Sequence, residues 1–240
     1  MPIGTQQDAC EILEMCFDPC SALHTSCNAD ACYGRLFQKL TQFDMERQLD
    51  CKACSYTRSE TQRQSVVRVE VEDTLQESIS AALQEADIPD WRCEECGKIG
   101  ARQQTALGDL PPFLIVHVNK FAGLATGVTA EATVRLSGTD LDRFAAVHHM
   151  GETPNSGHYT ATVATKTMAY DCDDRFVGSL ADGLANAWQN TYLVFLQNPS
   201  ASVLPPCDDG AQQGEEDGDG EQDGGADGDD DDGEQEGSPE

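Results

Sequence analysis

The chain has 240 residues and a formal net charge of −28, with 43 acidic residues against 15 basic ones. An acidic chain without a basic stripe argues against nucleic-acid binding, which depends on neutralising phosphates. The sequence shows no run of about 18 apolar residues and no export signal, so we expect neither a membrane span nor secretion. Two C-x-x-C pairs among 11 cysteines then favour a metal site in a reducing, intracellular compartment, the cytoplasm or the nucleus.

The first predicted element is a helix over residues 5–18, because apolar or small residues recur at positions 9, 12, 13, 16 and 17 on one helical face. Thr5 is the expected N-cap, Asp8 is its capping partner, and Pro19 ends the helix. The cysteines at positions 10, 16, 20, 27 and 32 follow no metal-ligand spacing, and we interpret them as free or buried thiols.

Two C-x-x-C pairs lie 38 residues apart further along the chain, Cys51 with Cys54 and Cys93 with Cys96. Each pair can form a tight turn, and the fold between them can bring four thiolates onto one tetrahedral Zn²⁺. We therefore predict a closed structural zinc site that stabilises a subdomain without a core of its own. Four reduced, buried cysteines are the alternative.

The segment between the two cysteine pairs carries two regular patterns. The alternation from Ser65 to Glu72 predicts a half-buried strand. A capping box at residues 74–77 predicts the start of a helix, and Pro89 is expected to end it.

Four further strands are predicted downstream. The continuous apolar run Phe113–Val118 indicates a central strand, in which His117 is interpreted as a core histidine with satisfied hydrogen bonds. Residues 133–136 and 144–148 are shorter predicted strands. Residues 191–196 are apolar on both faces, which predicts a last strand in the centre of a sheet.

The stretch from Gly151 to Val177 carries the residues that point to chemistry. Its alternating run over 158–164 predicts a strand that begins at His158. Asp173 follows one hairpin later, and antiparallel strands joined by a short turn bring their outer ends together. The pair then has the geometry of the base and orienter of a nucleophile–histidine–aspartate triad. A surface histidine beside a solvated acidic turn is the alternative.

Pro205 and Pro206 mark a predicted domain boundary. Beyond them, residues 208–240 contain 16 acidic residues and no basic residue. This segment has no aromatic or branched aliphatic side chain, so it cannot bury enough apolar surface to offset its ordering entropy. We predict a disordered acidic tail, for which a basic protein is the expected partner.

Six motifs, in order along the chain, resemble those of the ubiquitin-specific protease family of papain-like cysteine proteases. They are the QQDAxE-like segment Gln6–Glu11, the two C-x-x-C pairs of zinc-ribbon fingers, the LPxxLxxHLxRF-like segment Leu110–Phe121, the HxGxxxxGHY-like segment His149–Tyr159, the DDxxV-like segment Asp173–Val177 and the closing strand Tyr192–Phe195. The resemblance implies an α+β fold with a largely antiparallel sheet and N-terminal helices. It also implies zinc-ribbon fingers at about 45–105 within a partial catalytic domain over residues 1–198, followed by the disordered acidic tail over 199–240.

The resemblance implies a cysteine-type deubiquitinase, which cleaves the isopeptide bond after the C-terminal Gly-Gly of ubiquitin in ubiquitinated proteins. His158 would be the general base that takes the proton of a thiol. Asp173 would hold the imidazole in one tautomer and stabilise the imidazolium. Asp174 would be a polar helper near the oxyanion.

The resemblance also implies contacts with ubiquitin by four residues. Asp8 and Glu11 of the first helix would meet the arginines of the basic ubiquitin tail through charge-assisted hydrogen bonds. Tyr159 and His149, in the motif around the base, are the other two.

The chain departs from the family pattern in two places. Cys172 stands where the family has an aromatic residue, which leaves Asp171 and Asp174 open as alternatives to Asp173. The family's nucleophile lies in a Gly-Asn-Thr-Cys-Tyr box upstream of the first helix, and Cys32 does not match that box. We therefore expect the chain alone to be inactive. A non-catalytic ubiquitin-binding module and a zinc-ribbon interaction protein are the alternative functions.

Overall fold

The computed structural model of the chain describes residues 8–17, 33–121, 128, 131–153, 156–165, 167–180 and 190–201. The chain divides into two units, Met1–Pro205 and Pro206–Glu240, and every described residue belongs to the first. The predicted acidic tail, the N-cap Thr5 and the helix end at Pro19 therefore lie outside the described residues. Within these ranges, no helix has the length and apolar character needed to cross a bilayer.

The described residues form short helices and a larger number of strands. The helices are α1 (Ala9–Phe17), α2 (Tyr33–Thr41) and α3 (Leu75–Leu83). The strands are β1 (Phe43–Cys51), β2 (Thr57–Gln64), β3 (Val66–Val69), β4 (Ala86–Arg92), β5 (Ile99–Leu107), β6 (Phe113–Val118), β7 (Thr133–Leu136), β8 (Thr139–Thr153), β9 (Ser156–Ala164), β10 (Ala169–Asp173), β11 (Phe176–Leu180) and β12 (Thr191–Gln197).

The strands form two sheets. The larger sheet has the order β11-β10-β9-β8-β12-β6-β3, with β7 also paired to β8. The smaller sheet has the order β2-β1-β5-β4, and we call it the finger sheet. All pairings are antiparallel except the parallel pair β3–β6. The predicted α+β class with largely antiparallel sheets is confirmed.

Strands β6 and β12 are adjacent interior strands of the larger sheet, each paired on both sides, as their apolar sequences predict. Leu114 and Val116 of β6 belong to one hydrophobic cluster, and Ile115 between them belongs to another. Because neighbouring side chains on a strand point to opposite faces, the sheet has a hydrophobic layer on each face. Leu75 and Ile79 of α3 lie in the first layer, and Cys10 of α1 lies in the second.

Helix α3 begins as predicted and ends earlier than predicted. The Thr74 hydroxyl accepts a hydrogen bond from the Glu77 backbone N–H, and the Glu77 carboxylate accepts one from the Thr74 backbone N–H. The helix stops at Leu83, and Pro89 lies inside strand β4, so the prediction that Pro89 ends the helix is wrong. Strand β4 is at the edge of the finger sheet and its register shifts between Ile88 and Arg92. An edge or an irregularity tolerates a residue without a backbone N–H.

Helix α1 has a different cap from the one predicted, and its buried face matches the prediction at Ala9 and Leu13 but not at Cys10 and Ile12. Asp8 precedes the helix, and its Oδ1 accepts hydrogen bonds from the backbone N–H groups of Cys10 (2.6 Å) and Glu11 (3.3 Å), so Asp8 itself occupies the N-cap. Cys10 is buried, whereas Ile12 is 41% exposed. Burial, with smaller contributions from nearby charges, raises the pKa of the Cys10 thiol to about 11, so this thiol stays protonated at neutral pH.

The finger sheet is built from two separate segments, residues 43–64 and 86–107. The intervening β3 and α3 belong to the larger sheet and its hydrophobic layer. The region expected at about 45–105 is therefore interrupted in its middle. Between the two cysteine pairs the chain therefore enters the larger sheet at β3 and returns to the finger sheet at β4.

Candidate catalytic and metal sites

His158 and Asp173 meet at one end of the larger sheet. Strands β9 and β10 are antiparallel neighbours, with Cys172 opposite Ala161, so the start of β9 lies beside the end of β10. Here His158 Nε2 lies 2.6 Å from Asp173 Oδ1, within hydrogen-bond distance. The two side chains are 43% and 51% exposed, so a partner molecule can reach them.

The geometry separates Asp173 from the two alternative carboxylates. Asp171 lies opposite Thr162, further along the β9–β10 pair. Asp174 is the first residue of the two-residue turn between β10 and β11, and its φ of +51° is one that aspartate tolerates better than most residues. One carboxylate oxygen of Asp174 lies within 4.8 Å of the ligand atoms of His158 and Asp173. Asp174 is thus a neighbour of the pair, and Asp173 is the hydrogen-bonded partner.

The hydrogen bond to Asp173 fixes the tautomer of His158. An ionised carboxylate only accepts hydrogen bonds, so Nε2 carries the proton that is shared with Asp173. In the neutral imidazole, Nδ1 then holds the free lone pair. The pair therefore has a proton acceptor at Nδ1 and a negative charge behind the ring that stabilises the imidazolium.

His149 lies beneath the hairpin that carries His158. Its side chain is fully buried, and neither ring nitrogen has a hydrogen-bond partner among the described residues. Burial, with a contribution from Lys120, lowers the pKa of His149, which keeps the ring neutral. The resemblance implies that His149 contacts ubiquitin. In this structure its side chain has no exposed surface for that contact and lies behind the site instead.

Tyr159 and Tyr192 connect the sheet to the start of α1. The Tyr192 hydroxyl donates to Asp8 Oδ2 over 2.5 Å, and the Tyr159 hydroxyl accepts from the Ala9 backbone N–H over 3.4 Å. Burial and the hydrogen bond to Asp8 raise the pKa of Tyr192, so its phenol stays a donor. These two hydrogen bonds hold the N-terminus of α1 against the second hydrophobic layer.

Asp8 and Glu11, at the start of α1, differ in how accessible their carboxylates are to a partner. Both carboxylate oxygens of Asp8 already accept hydrogen bonds within the chain. The Glu11 side chain is exposed on the first turn of the helix. A cationic partner would therefore reach the Glu11 carboxylate more readily than that of Asp8.

Lys120 is a buried cation close to His149. Its Nζ donates to the His149 carbonyl oxygen (2.5 Å) and to Asn190 Oδ1 (3.5 Å), and lies 5.4 Å above the Phe121 ring. Burial lowers the pKa of this ammonium. The contacts tie the end of β6 to β8 and to the residue before β12.

The four cysteines of the two C-x-x-C pairs come together at one end of the finger sheet. The Sγ atoms of Cys51 and Cys96 are 3.8 Å apart, and those of Cys54 and Cys93 are 3.7 Å apart. All four sulfurs lie within 4.8 Å of one another, and none is in a disulfide. A tetrahedron with metal–sulfur bonds of about 2.3 Å has edges of about 3.8 Å. The cysteines therefore fit a metal ion, and the prediction that the two pairs come together is confirmed.

The thiol pKa values show why such a cluster favours a cation. The Ala53 backbone N–H donates to Cys51 Sγ over 3.4 Å, and backbone hydrogen bonding lowers the pKa of this thiol to about 7. A backbone hydrogen bond from Tyr56 acts the same way on Cys54, yet burial and the neighbouring thiols raise its pKa to about 12. One thiolate forms easily, and further ones form when a bound cation offsets their mutual repulsion.

Sequence reasoning missed three features of this region. The Tyr192–Asp8 hydrogen bond joins residues 184 positions apart, and no local pattern announces it. Lys120 lies two residues after the apolar run that ends at Val118, and nothing in the local sequence distinguishes it from a surface lysine. Gly151 and Gly157 pack closely against the His149 ring, and the only sequence signal of this is the pair of glycines in the motif at residues 149–159.

The family of the chain follows from comparison with known proteins. Residues 1–196 match the family model described as ubiquitin carboxyl-terminal hydrolase (UCH). Because this match covers most of the chain, the chain belongs to that family. It is a member of the group of hydrolases that includes the ubiquitin-specific proteases, as the order of motifs predicts.

Curated relatives carry the same family name. The chain is 24% identical over 242 residues to ubiquitin carboxyl-terminal hydrolase 36 of Drosophila pseudoobscura pseudoobscura, which covers 85% of this chain and 22% of that protein. It is 24% identical over 206 residues to ubiquitin carboxyl-terminal hydrolase 25 of Arabidopsis thaliana, covering 73% of this chain and 31% of that protein. The chain thus spans less than a third of the length of these relatives.

Solved structures share the fold. A chain of the SAGA DUB module Ubp8/Sgf11/Sus1/Sgf73 bound to monoubiquitin superposes with a TM-score of 0.66 and 18% identity, covering 82% of this chain and 50% of that chain. The same module bound to ubiquitin aldehyde matches with a TM-score of 0.66 and 17% identity, with the same coverage. The predicted ubiquitin-specific protease fold is confirmed.

Proposed function

We propose that this chain supplies the general base and the ubiquitin-binding helix of a cysteine-type deubiquitinase. The observation that carries the proposal is the 2.6 Å contact between His158 Nε2 and Asp173 Oδ1 at an accessible end of the sheet. The membership of the chain in the ubiquitin hydrolase family supports the same reaction.

In the proposed reaction, His158 Nδ1 takes the proton from a thiol. The resulting thiolate attacks the carbonyl carbon of the isopeptide bond after the C-terminal Gly-Gly of ubiquitin, and the imidazolium returns the proton to the leaving lysine amine. Water, activated by the same imidazole, then hydrolyses the thioester. Asp173 stabilises the imidazolium in both steps, and Asp174 is a polar helper near the oxyanion.

We propose that the thiol comes from outside the described residues. Among the described histidine, cysteine and acidic side chains, those that cluster with His158 are Asp173 and Asp174. This cluster contains no described cysteine. A base without a thiol beside it cannot form an acyl-enzyme. We therefore expect the described part to bind ubiquitin without turnover until a nucleophile is brought to His158.

For ubiquitin recognition, we assign the direct charge contact to Glu11. Its exposed carboxylate suits an arginine of the basic ubiquitin tail. Asp8, which is already hydrogen-bonded to Tyr192, holds α1 in place and adds negative charge to the same site. Tyr159, half-buried at the base of α1, is the proposed aromatic contact, while His149 supports the site from behind.

We propose Zn²⁺ as the metal of the four-cysteine site. Four thiolates in a tetrahedral set are the preferred ligands of structural zinc, and the sulfur separations fit its bond length. A closed four-sulfur site has no open position, so its role is to hold the finger sheet together. The free thiols also suit the intracellular location, cytoplasm or nucleus, that we propose for the chain.

The partners that we propose are ubiquitin and ubiquitinated proteins. A basic protein remains the proposed partner of the acidic segment 208–240, on the basis of its charge alone.

The deciding experiment uses ubiquitin with a thiol-reactive group at its C-terminus. The purified chain is mixed with this probe, with and without a second polypeptide that carries a Gly-Asn-Thr-Cys box, and intact masses are measured. We expect no adduct with the chain alone and a one-ubiquitin adduct on the second polypeptide when both are present. His158→Ala should slow adduct formation by about 10²–10⁴-fold, the usual contribution of a general base.

Asp173→Ala and Asp171→Ala form a matched pair, because Asp173 and not Asp171 is hydrogen-bonded to His158. Loss of rate in both variants, or in neither, would contradict the assigned roles. An adduct on the chain alone that disappears in His158→Ala would place the nucleophile within this chain. Binding that is lost in Glu11→Ala, with no adduct under any condition, would favour a non-catalytic ubiquitin-binding module.

A further inference from the structure

The imidazole of His149 fills a closed space beneath the strand that carries His158. It is fully buried, and both ring nitrogens lack a hydrogen-bond partner in the part of the chain that the structure describes. Burial of polar atoms without partners is unfavourable, and native structures contain few such atoms. The ring is therefore held here for its shape and position, since it makes no hydrogen bond to the described residues.

Two glycines pass directly over this ring. A Cβ atom at Gly157 would lie 2.7 Å from His149 Nε2 and 2.4 Å from the Met150 carbonyl oxygen. A Cβ atom at Gly151 would lie 2.7 Å from His149 Cε1. Real Cβ atoms do not approach other atoms so closely, so the backbone rests on the ring at the shortest distance that glycine allows. Gly157 immediately precedes His158.

The ring is fixed from below and from the sides. The His149 carbonyl oxygen accepts from Lys120 Nζ over 2.5 Å, and the His149 backbone N–H donates to the Asn190 carbonyl oxygen over 2.9 Å. The rings of Tyr159 and Phe121 lie 4.5 Å and 5.4 Å away, centroid to centroid. A ring held in this way cannot move without moving the hairpin above it.

We propose that His149 is a positioning residue, whose buried ring sets the position of the Gly157 backbone and thereby aims the His158 imidazole at Asp173. The inference rests on the proposed role of His158 as the base. It goes beyond that proposal by naming what holds the base in place. The ring acts by contact with the backbone, so its nitrogens are dispensable.

The test measures the His158–Asp173 hydrogen bond directly and needs no ubiquitin. The full chain, loaded with Zn²⁺ and labelled with ¹⁵N-histidine, is examined by NMR for the far-downfield proton of His158 Nε2. In His149→Ala we expect this resonance to disappear, or its exchange with water to accelerate by about tenfold or more, because the hairpin opens more often. Leu141→Ala is the matched control, since it removes an equally buried side chain of β8 from the other hydrophobic layer.

The conservative variant His149→Phe separates position from hydrogen bonding. It keeps a flat ring and removes both nitrogens, so we expect the downfield proton to persist. Its loss in His149→Phe, its retention in His149→Ala, or an equal loss in Leu141→Ala would each overturn the inference, as would its absence from the unaltered chain. If His149→Ala does not fold, the Phe variant decides the question alone. Failure of the ubiquitin-probe experiment would leave this NMR result unchanged, so the two proposals can fail separately.

Discussion

The two sheets of this protein are stabilised in different ways. In the larger sheet, strand β12 is buried along most of its length, and hydrophobic layers cover both faces. In the finger sheet, strand β2 is polar throughout and mostly exposed, and β1 is buried only at its ends, Phe43 and Cys51. Backbone hydrogen bonds alone do not stabilise a small sheet that lacks a hydrophobic face. We therefore expect the four cysteines, through the proposed metal, to take the place of a core.

Ion pairs on the finger sheet do not change this conclusion. The pairs Lys52–Asp87 and Arg58–Glu94 have N···O distances of 2.6 and 2.8 Å, but their side chains are 40–67% exposed. Solvent-exposed ion pairs contribute about 0–1 kcal/mol each. A structural zinc bound by the four cysteines, as proposed above, would contribute about 10–16 kcal/mol at neutral pH. We therefore expect the proposed metal to dominate the stability of this sheet.

Metal removal should produce the largest difference between the two sheets. With a strong chelator, or in Cys54→Ser, we expect the amides of β1, β2, β4 and β5 to lose their protection from hydrogen exchange. The amides of β6 and β12 should keep theirs, because hydrophobic burial holds them independently of the metal. Exchange followed by mass spectrometry, with metal content measured on the same sample, checks this.

Cys172→Ser is the control for the loss of a thiol, because Cys172 lies in β10 of the larger sheet. It should leave both the metal content and the finger amides unchanged. Protection of the finger sheet that survives complete metal loss would show that its strands need no metal, and the comparison would then fail.

A matched pair of isoleucines tests the other half of the comparison. Ile115 in β6 is 1% exposed, whereas Ile99 in β5 is 57% exposed. Ile115→Ala should lower the free energy of unfolding by about 2–5 kcal/mol, because it removes buried methyl groups and leaves a cavity. Ile99→Ala should change it by less than about 0.5 kcal/mol. Denaturant unfolding of the metal-loaded chain measures both values, and equal effects would contradict the proposed division.

The same division explains which elements could be predicted from the sequence. Strands β6 and β12 are apolar on both faces, so burial dictates their conformation and the sequence pattern reveals it. The sequence Thr57–Gln64 of β2 has no such pattern, because its strand is defined by pairing with β1. Neither pairing with a distant strand nor metal ligation produces a periodic pattern of apolar residues in the local sequence, so such strands cannot be predicted from that pattern.

The candidate site was predictable for a similar reason. His158 and Asp173 lie on neighbouring strands of a local meander, so spacing alone brings them together. The hydrogen bond from Tyr192 to Asp8 was missed because the two residues are 184 positions apart in sequence. The prediction that His117 has satisfied hydrogen bonds is wrong: its buried nitrogens have no partner among the described residues, and its ring packs edge-on against Tyr192 at 4.6 Å. Aromatic packing has replaced the expected hydrogen bonds.

Acid should destabilise the larger sheet through its buried histidines. Burial, as the largest cause, lowers the pKa values of His117, His148 and His149, and no histidine lies in the finger strands. Below about pH 6.5 the unfolded chain binds more protons at these histidines than the folded chain does. The free energy of unfolding therefore falls as the pH falls. Each such histidine contributes a slope of up to about 1.4 kcal/mol per pH unit.

The variant His149→Phe isolates one of these contributions. Acid also weakens thiolate–metal bonds. That effect is the same in the variant and in the unaltered protein, so it cancels when their free energies of unfolding are subtracted. We expect the variant to lose stability less steeply between pH 6.5 and the lowered pKa, by up to about 1.4 kcal/mol per pH unit. Parallel pH dependences, measured by denaturant unfolding at several pH values, would mean that His149 is protonated equally in both states.

The smallest effect concerns the cap of α3, which connects local structure to the larger core. Thr74→Ala removes the side chain that accepts from the Glu77 backbone N–H, and should lower the free energy of unfolding by about 1 kcal/mol. Ser80→Ala on the same helix is the control, because this exposed hydroxyl bonds only within the helix and alanine is the better helix former. Since Leu75 and Ile79 of α3 lie fully buried in the first hydrophobic layer, the loss should appear in global unfolding, with the finger amides exchanging as before. A loss confined to the finger sheet would instead show that α3 supports the fingers, and the boundary between the two regions would have to be drawn on the other side of this helix.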